Sequence, residues 1–241
     1  MKEIAIQVEP NRLIKMLYRE GTSDRSVIEQ IWVEHAYGLF RFSRGKELGE
    51  IYEAISSSGK KPLIVDAGAN IGASSLYFSE KYQRSRVIAL EPEAKNFEVL
   101  SINTKESTNI TCIRAALSST VGEMAVVDPG KGEWGFRAVP EAELSQGKFV
   151  EHVSAVSVNQ ILGEMGEEYE PFIVKIDIEG GESDVFSKDT EWVDRFPILI
   201  IELHDWMYPS QSNSSSFIKC ISKLNRDFVY IGENVFSIKN Y

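Results

Sequence analysis

Acidic residues in this sequence stand where short apolar runs end. Residues 63–65 (Leu-Ile-Val) are followed by Asp66, and residues 87–90 (Val-Ile-Ala-Leu) are followed by Glu91. Short β-branched runs of this kind are typical of buried strands. Because ligands of open α/β sheets bind beyond the carboxyl ends of the strands, Asp66 and Glu91 are predicted to meet at one ligand site. Glu91 is placed to bind ribose hydroxyls, the alternative being an acid that stabilises a helix N-terminus.

The turn after Asp66 indicates which ligand fits. The dinucleotide fingerprint G-x-G-x-x-G, set on Gly68, requires glycine at two positions where this chain has Asn70 and Ala73, although Gly72 follows in the same turn. A carboxylate at the strand end suits hydroxyl, ammonium and sulfonium groups better than phosphate. S-adenosylmethionine carries those groups and no phosphate, so the turn favours it over NAD. An ordinary βα turn without a ligand is the alternative.

A second group of charged residues alternates along two later strands. Lys175, Asp177 and Glu179 share one face of an otherwise apolar strand. Central parallel strands are usually apolar on both faces, so these charges are costly unless that end opens onto a site. Glu202 and His204 share a face near the end of the next strand. The two strands therefore predict a crevice with three carboxylates and an imidazole that takes part in chemistry.

Two further stretches carry candidate contacts. Residues 109–117 are predicted to form the third strand, whose tip would bring Ala116, Leu117 and Ser118 to the adenine side of a nucleoside ligand. Residues 129–137 are rich in glycine, which is typical of a mobile binding loop. The substrate contacts expected from this loop and from the charged crevice are Trp134, Arg137, Glu179 and Glu182.

The elements that would hold these residues alternate between strand and helix from residue 59 to residue 241. The pattern predicts an α/β domain with a seven-stranded, mostly parallel sheet that ends in an antiparallel hairpin at residues 228–238. Residues 1–58 are predicted to form a helical extension that caps the sheet or covers a substrate. Its helices are expected at about 11–17, 27–32 and 45–57.

Composition limits the class of partner. Of 241 residues, 43% are hydrophobic, enough for a sizeable core, and the net charge is −10. This charge argues against nonspecific binding to nucleic acid or anionic membranes. Cys112 and Cys220 are far apart and form no C-x-x-C motif, which predicts a reduced, cytoplasmic protein. A secretory signal or a membrane span is not expected, because no apolar run has the required length.

An ordered set of motifs between residues 60 and 206 resembles the FkbM methyltransferase family. The motifs are residues 66–72 (Asp-Ala-Gly-Ala-Asn-Ile-Gly), 91–92 (Glu-Pro), 116–118 (Ala-Leu-Ser), 175–182 (Lys-Ile-Asp-Ile-Glu-Gly-Gly-Glu) and 202–204 (Glu-Leu-His). The chain departs from the family pattern at one place. Family members often have an acidic residue after the third strand, where this chain has Ser118 and Ser119. The resemblance implies a Rossmann-like class I fold, S-adenosylmethionine as cofactor, and O-methylation of sugars or natural products.

The resemblance also implies roles for individual residues. Cofactor contacts are expected from Asp66, Gly68, Asn70, Gly72, Glu91, Ala116, Leu117, Ser118 and Asp177. His204 is the expected general base, oriented by Asp177 or Glu202, since an imidazole suits proton transfer near neutrality. In the alternative, Asp177, Glu202 and His204 bind a Mg²⁺ ion that acidifies the hydroxyl. A single imidazole makes zinc a poor fit.

The predicted function is S-adenosylmethionine-dependent O-methylation of a small-molecule hydroxyl acceptor, without a nucleic-acid partner. Two alternatives remain open. One is a catalytically silent protein that binds S-adenosylmethionine and serves as a scaffold. The other is an NAD-type dehydrogenase with a divergent cofactor turn, which the missing glycines disfavour.

Overall fold

The structure is a computed structural model that describes residues 1–130 and 135–241, so that the predicted loop residue Trp134 lies outside the described residues. The strands are β1 (Lys2–Glu9), β2 (Arg12–Tyr18), β3 (Lys61–Ala67), β4 (Arg86–Leu90), β5 (Ile110–Ile113), β6 (Ala115–Leu117), β7 (Gly122–Asp128), β8 (Arg137–Val139), β9 (Lys148–Val156), β10 (Tyr169–Ile176), β11 (Ile198–Glu202), β12 (Arg226–Ile231) and β13 (Asn234–Lys239). The α-helices are α1 (Asp24–Trp32), α2 (Gly45–Ser57), α3 (Ala73–Lys81), α4 (Ala94–Thr104), α5 (Val158–Met165), α6 (Glu182–Val185) and α7 (Ser215–Ile221). Short 3₁₀ helices cover Leu39–Arg41, Glu141–Gln146 and Glu191–Arg195.

The central sheet has seven strands in the order β12-β13-β11-β10-β3-β4-β5. The five strands from β11 to β5 are parallel, and β13 pairs antiparallel with both β11 and β12. Ile64 of β3 packs into the hydrophobic cluster on one face, and Leu63 and Val65 pack into the cluster on the other. Burial on both faces explains the continuous apolar runs of these strands. The predicted Rossmann-like fold is confirmed, including the terminal hairpin.

The third predicted strand is divided between two sheets. Residues 109–117 were expected as one strand, but β5 ends at Ile113 and β6 begins at Ala115. β6 leaves the central sheet and pairs in parallel with β9, in a four-stranded sheet ordered β6-β9-β7-β8. Arg114 interrupts the run of apolar residues, and its guanidinium pairs with Glu151 of β9. The smaller sheet therefore forms a wall beside the end of the central sheet.

The prediction of a helix at residues 11–17 was wrong. These residues belong to β2, which forms an antiparallel hairpin with β1 and aligns Ile4 with Met16 and Ile6 with Ile14. The apolar spacing satisfied a helical pattern, but the alternating residues of β1 supply a partner strand that buries Met16 and leaves Leu13 exposed. The helices expected at 27–32 and 45–57 are present as α1 and α2.

The first 58 residues share a hydrophobic core with the central sheet. Met16, Ile28 and Leu48 pack in the same cluster as Phe78 of α3 and Phe172 of β10. The boundary near residue 58 stays a prediction, because shared packing does not define where one folding unit ends. Within residues 1–130 and 135–241, no helix combines the length and the apolar character that crossing a bilayer requires.

The turn after β3 lies directly against the end of β10. Gly68 has φ +75°, and a Cβ atom built on it would lie 1.7 Å from the carbonyl oxygen of Asp177. The amide groups of Gly68 and Ala69 both donate to the carbonyl of Leu90, at 3.0 and 2.9 Å, which fixes the turn to β4 as well. Only glycine fits between these backbones, so residue 68 sets the distance between the two strand ends.

We expect Gly68→Ala to lower the free energy of unfolding by about 3 kcal/mol or more, because the methyl group must displace the backbone of Asp177. Gly59→Ala is the matched control, since Gly59 also has a positive φ, +86°, but open space around its Cβ position. In the control, the free energy of unfolding should fall only by the cost of placing a side chain in the left-handed conformation, about 1–2 kcal/mol. Urea denaturation measures both; equal losses would contradict the close approach.

Candidate active site

A cavity of about 370 Å³ opens at the carboxyl ends of β3, β4 and β10, where the strand order reverses. This volume and this place in the fold are typical of small-molecule sites. The predicted site residues that line it are Gly68, Asn70, Glu91, Ala116, Leu117, Asp177, Glu179 and Glu202. Among the described residues, those predicted for the site but absent from the cavity wall are Asp66, Gly72, Ser118, Arg137, Glu182 and His204.

Asp66 lies beneath the turn and is fully buried. Its Oδ2 atom accepts hydrogen bonds from the hydroxyls of Ser74 and Ser75, at 2.7 and 2.5 Å. Its Oδ1 atom lies 3.4 Å from Nζ of Lys175. Because the two serines belong to the first turn of α3, Asp66 ties the end of β3 to the helix that follows it and shapes the turn from behind.

Lys175 is a buried cation between β3 and β10. Its side chain is 2% exposed, and Nζ donates to the carbonyls of Ala67 and Gly68 at 3.2 and 2.7 Å. Nζ also lies 3.5 Å from Oδ2 of Asp177. Burial lowers the pKa of Lys175, but the charges of Asp177 and Asp66 raise it by more, so the ammonium stays charged.

Glu91 joins the tip of β4 to the same turn. Its Oε2 accepts from the amide of Asn70 at 2.8 Å, and its Oε1 accepts from the amide of Glu93 at 3.0 Å. Burial raises the pKa of Glu91 to about 7 in spite of these hydrogen bonds, which favour the charged form. Asn70 has φ +47°, and its buried Oδ1 accepts no hydrogen bond from the described residues. Both side chains therefore bring polar atoms to this end of the cavity.

The predicted adenine-side residues separate into two groups. Ala116 and Leu117 of β6 line the cavity. Ser118 instead donates to Oδ2 of Asp184 at 2.7 Å, and the amide and hydroxyl of Ser119 donate to the same carboxylate, both at 3.0 Å. Asp184 of α6 thus fixes the end of β6 through these two serines. Of the predicted adenine-side residues, Ala116 and Leu117 remain to contact a ligand there.

His204 is surrounded by carboxylates and is only 1% exposed. Its Nδ1 lies 2.8 Å from Oε1 of Glu182. Its Nε2 lies 3.3 Å from Glu179, 3.5 Å from Glu202 and 3.7 Å from Asp177. The expectation that Asp177, Glu179, Glu202 and His204 meet is therefore met by the geometry. The imidazole, however, stands behind the carboxylates and not in the cavity wall.

The charges of this cluster are strongly coupled. Burial lowers the pKa of His204, but hydrogen bonds to Glu182 and Glu202 outweigh it and bring the pKa to about 11. Burial and the charge of Asp177 raise the pKa of Glu179 to about 8. Burial also raises the pKa of Glu202. His204 is consequently an imidazolium near neutral pH, which supplies no lone pair for the general base role that the sequence suggested.

Glu182 and Arg137, which the sequence suggested as substrate contacts, do not line the cavity. Glu182 is fully buried and accepts from Asn213 Nδ2 at 2.6 Å while it pairs with His204. Arg137 is also buried, donates to the carbonyl of Gly180 at 3.2 Å and stacks over a tyrosine ring, Tyr208, at 4.2 Å. Both residues support the loop that follows β10, because Glu182 accepts from the amide of Gly180 at 3.2 Å and Arg137 donates to its carbonyl.

Several cavity residues had no signal in the sequence. They come from α1 and the segment after it, from β8, from the loop after β11 and from the terminal hairpin: Ser23, Val27, Gln30, Ile31, Tyr37, Phe136, Ala138, Trp206, Glu233 and Asn234. Their residue types are ordinary for core or surface positions. The exposed Trp206, two residues after His204, is the one that proximity to a motif could have identified.

Asp177, Glu179 and His204 form a candidate metal-binding group among the described residues. Each offers a ligand atom, and these atoms lie within 4.8 Å of one another. The group differs from the predicted set, which contained Glu202 in the place of Glu179. Two carboxylates and one imidazole suit a hard divalent cation better than a structural zinc ion.

The strand order, the terminal antiparallel hairpin and a cavity at the switch point without a phosphate-binding glycine fingerprint define a class I methyltransferase fold. The family model described as "Methyltransferase FkbM domain" matches residues 66–230, more than half of the chain. The chain belongs to this family of S-adenosylmethionine-dependent methyltransferases. The resemblance inferred from the motifs is thereby confirmed.

Three curated methyltransferases are similar in sequence. Hexuronic acid methyltransferase AglP of Haloferax volcanii is 26% identical over 209 residues, covering 83% of this chain and 79% of that protein. Methyltransferase sdnD of Sordaria araneosa is 38% identical over 73 residues, covering 29% of this chain and 28% of that protein. Methyltransferase 1 of Beauveria bassiana is 29% identical over 161 residues, covering 59% of this chain and 64% of that protein.

We expect His204 to stay protonated throughout the neutral range, as nitrogen NMR of the ¹⁵N-labelled imidazole would show. Glu182→Gln should lower the pKa of His204, because it removes the charge that faces Nδ1. The folded-state pKa of about 11 lies above the ordinary value of 6.5. The protonated imidazole therefore stabilises the fold fully below about pH 6.5, and this contribution is lost as the pH rises towards about 11. A wild-type His204 that titrates near its ordinary value would contradict the structure.

Proposed function

We propose that this protein transfers a methyl group from S-adenosylmethionine to a hydroxyl oxygen of a sugar or natural-product small molecule. The observation that carries the proposal is a single cavity that joins the turn carrying Asn70 and Glu91 to the carboxylates of Asp177 and Glu202. A cofactor bound beside Asn70 and Glu91 would lie next to a methyl acceptor bound beside Asp177 and Glu202. The similarity to a hexuronic acid methyltransferase and to fungal methyltransferases supports this class of acceptor.

The residues at the turn fit S-adenosylmethionine. Glu91, at the tip of β4, offers the hydrogen-bond acceptor that ribose hydroxyls require. The amide of Asn70 fixes the position of its carboxylate. The buried Oδ1 atom of Asn70 accepts no hydrogen bond from the described residues, so a hydrogen-bond donor of the cofactor would satisfy it. Ala116 and Leu117 offer an apolar surface to a purine ring. Gly68 lets the turn pack against the backbone of Asp177, which brings the turn and the end of β10 together in one cavity wall.

The bound cofactor supplies an electrophilic methyl group on a sulfonium, and the protein must orient the acceptor and remove its proton. We assign the proton-accepting role to Glu202, which lines the cavity and is 15% exposed. Burial raises the pKa of Glu202, which makes it a better base than an exposed carboxylate. Asp177 lies 3.5 Å from Nζ of Lys175, so its carboxylate is already engaged within the protein. His204, charged and behind the wall, would hold these carboxylates in place.

Mg²⁺ assistance is the second arrangement that this site supports. Asp177, Glu179 and His204 would hold the ion, and the ion would acidify the acceptor hydroxyl. Binding would require His204 to give up the proton that its carboxylate neighbours stabilise. That requirement is why we prefer the metal-free arrangement.

The alternatives to a methyltransferase activity have less support. A scaffold that only binds the cofactor has no need for three carboxylates facing the cavity beside the turn, since removing charged groups from water is costly even when they are paired. A dehydrogenase would need the phosphate-binding glycines that the turn lacks. A cytoplasmic location and the lack of a nucleic-acid partner stay predictions from the composition.

We expect Glu91→Ala to weaken binding of S-adenosylhomocysteine by about ten- to a hundredfold, the value of a charged hydrogen bond to the ribose. Calorimetric titration of the product into wild type and variant measures this. Glu98→Gln is the control, since Glu98 is an exposed residue of α4 outside the cavity wall. Absence of binding to the wild type would remove the basis of the proposed function.

We expect Glu202→Gln to lower kcat for methyl transfer by about a hundredfold or more, the usual loss on removal of a general base. Affinity for S-adenosylhomocysteine should be unchanged, because Glu202 lies at the acceptor end of the cavity. The measurement is transfer of a labelled methyl group in an acceptor screen, repeated with and without Mg²⁺. An unchanged kcat, or a strict dependence on Mg²⁺, would assign the proton transfer to another group.

A further inference from the structure

Tyr37 and Asn234 are buried, uncharged side chains of the cavity wall. Tyr37 is 6% exposed and Asn234 is 3% exposed. Among the described residues, none forms a hydrogen bond with the hydroxyl of Tyr37 or with the side-chain amide of Asn234. The other buried asparagines of the described chain, Asn96 and Asn213, both donate from their amides to buried glutamates. Because buried polar groups are nearly always paired, we expect a ligand to pair with Tyr37 and Asn234.

Asn234 lies beside Glu202 at the acceptor end of the cavity. The two residues are partners across β11 and β13, so their side chains project from the same face of the sheet, with Cβ atoms about 5 Å apart. β13 is the third strand from β3, and at about 4.8 Å per strand this places Asn234 roughly 14 Å across the sheet from β3. Asn234 is therefore a neighbour of the carboxylate to which we assign proton removal, and it is remote from the turn that would hold the cofactor.

Tyr37 reaches the cavity from the N-terminal segment. Its ring packs against Tyr77 and Phe78 of α3, with ring centroids 6.5 and 5.4 Å away. Burial raises the pKa of the Tyr37 hydroxyl, and the charges of Lys175 and Asp177 also act on it. The hydroxyl therefore keeps its proton at neutral pH and lies near the end of β10, where it can both donate and accept a hydrogen bond.

The helix that precedes Tyr37 closes the same cavity. Val27, Gln30 and Ile31 line it, and their spacing places them on one face of α1. The family model matches residues 66–230. The contributions of α1, Tyr37 and Asn234 to the cavity wall therefore come from outside the matched region, which contains Asn70, Glu91 and Glu202.

We propose that Tyr37 and Asn234 bind a second hydroxyl of the acceptor, next to the hydroxyl that is methylated, so that the acceptor is a vicinal diol such as a pyranose ring provides. A hydroxyl both donates and accepts hydrogen bonds, and a phenol beside an amide matches both properties. The reacting hydroxyl would face Glu202 while its neighbour pairs with Asn234 and Tyr37. This inference rests on the proposed function and names the residues that select the acceptor.

The first test compares two ring-matched acceptors, trans-cyclohexane-1,2-diol and cyclohexanol, in the transfer of a labelled methyl group by the full chain. We expect kcat/KM for the diol to exceed that for cyclohexanol by about tenfold or more, as hydrogen bonds to the second hydroxyl would provide. The presence of two equivalent hydroxyls would by itself only double the rate.

The second test needs no turnover. The side-chain amide signals of Asn234 in nitrogen NMR are assigned by their absence from Asn234→Ala. They should shift when the diol is added to the full chain with S-adenosylhomocysteine, and they should stay in place when cyclohexanol is added.

The variants separate acceptor binding from packing. Tyr37→Phe and Asn234→Ala should each raise KM for the diol by about tenfold and leave KM for cyclohexanol and affinity for S-adenosylhomocysteine unchanged. Tyr37→Phe keeps the ring that packs against α3, so it carries little risk to folding. The matched controls are Tyr82→Phe, at a buried residue outside the cavity wall, and Asn225→Ala, at an exposed residue before β12. Both controls should behave as the wild type.

Each other outcome decides the matter. Equal losses with the diol and with cyclohexanol would reduce both residues to packing and overturn the proposal. Weaker binding of S-adenosylhomocysteine to Tyr37→Phe and Asn234→Ala would assign them to the cofactor and overturn it as well. If the wild type binds S-adenosylhomocysteine but shows neither a preference for the diol nor an amide shift, the diol inference fails and the methyltransferase assignment stands. Failure of S-adenosylhomocysteine to bind, with the amide shift retained without it, would overturn the proposed function alone.

Discussion

The buried ammonium of Lys175 is the interaction on which the rest of the site depends. It connects the carboxylates of Asp66 and Asp177 to the backbone carbonyls of the turn after β3, so one side chain fixes the distance between two strand ends. Gly68 permits that distance because it has no Cβ. Loss of one partner from such a buried group leaves an uncompensated charge, which typically costs about 3–5 kcal/mol. The turn after β3 and the acidic end of the cavity are therefore a single electrostatic unit.

A second buried cation, the imidazolium of His204, also binds carboxylates of the site. His204 stands behind the carboxylates of the cavity wall, and Glu182 on its other side keeps it protonated. The imidazolium is buried and engaged with neighbouring carboxylates. In the mechanism that we propose, His204 is therefore a positioning residue for Glu202 and Glu179, and proton transfer falls to a group that lines the cavity.

The sequence predicted the central fold well because its signals are local. Apolar runs that end in Asp66 and Glu91 follow from burial of parallel strands on both faces, and the glycines of the turn follow from backbone geometry. The N-terminal hairpin was missed because Leu13, Ile14, Met16 and Leu17 have helical spacing, although Ile14 and Met16 alone also satisfy an alternating pattern. Which pattern applies depends on pairing with β1, and such pairing is not a property of either strand alone.

The sequence by itself determined which chemical groups arrive at the strand ends, because strand polarity and side-chain alternation fix where Asp66, Glu91, Asp177 and Glu202 emerge. Only the tertiary structure decided what each group does there. Burial, and the distance to charges on other elements, made Lys175 a structural cation, made His204 an imidazolium and left Glu202 facing the cavity. These properties arise from contacts between residues far apart in the chain, whose charges act through a poorly solvated interior.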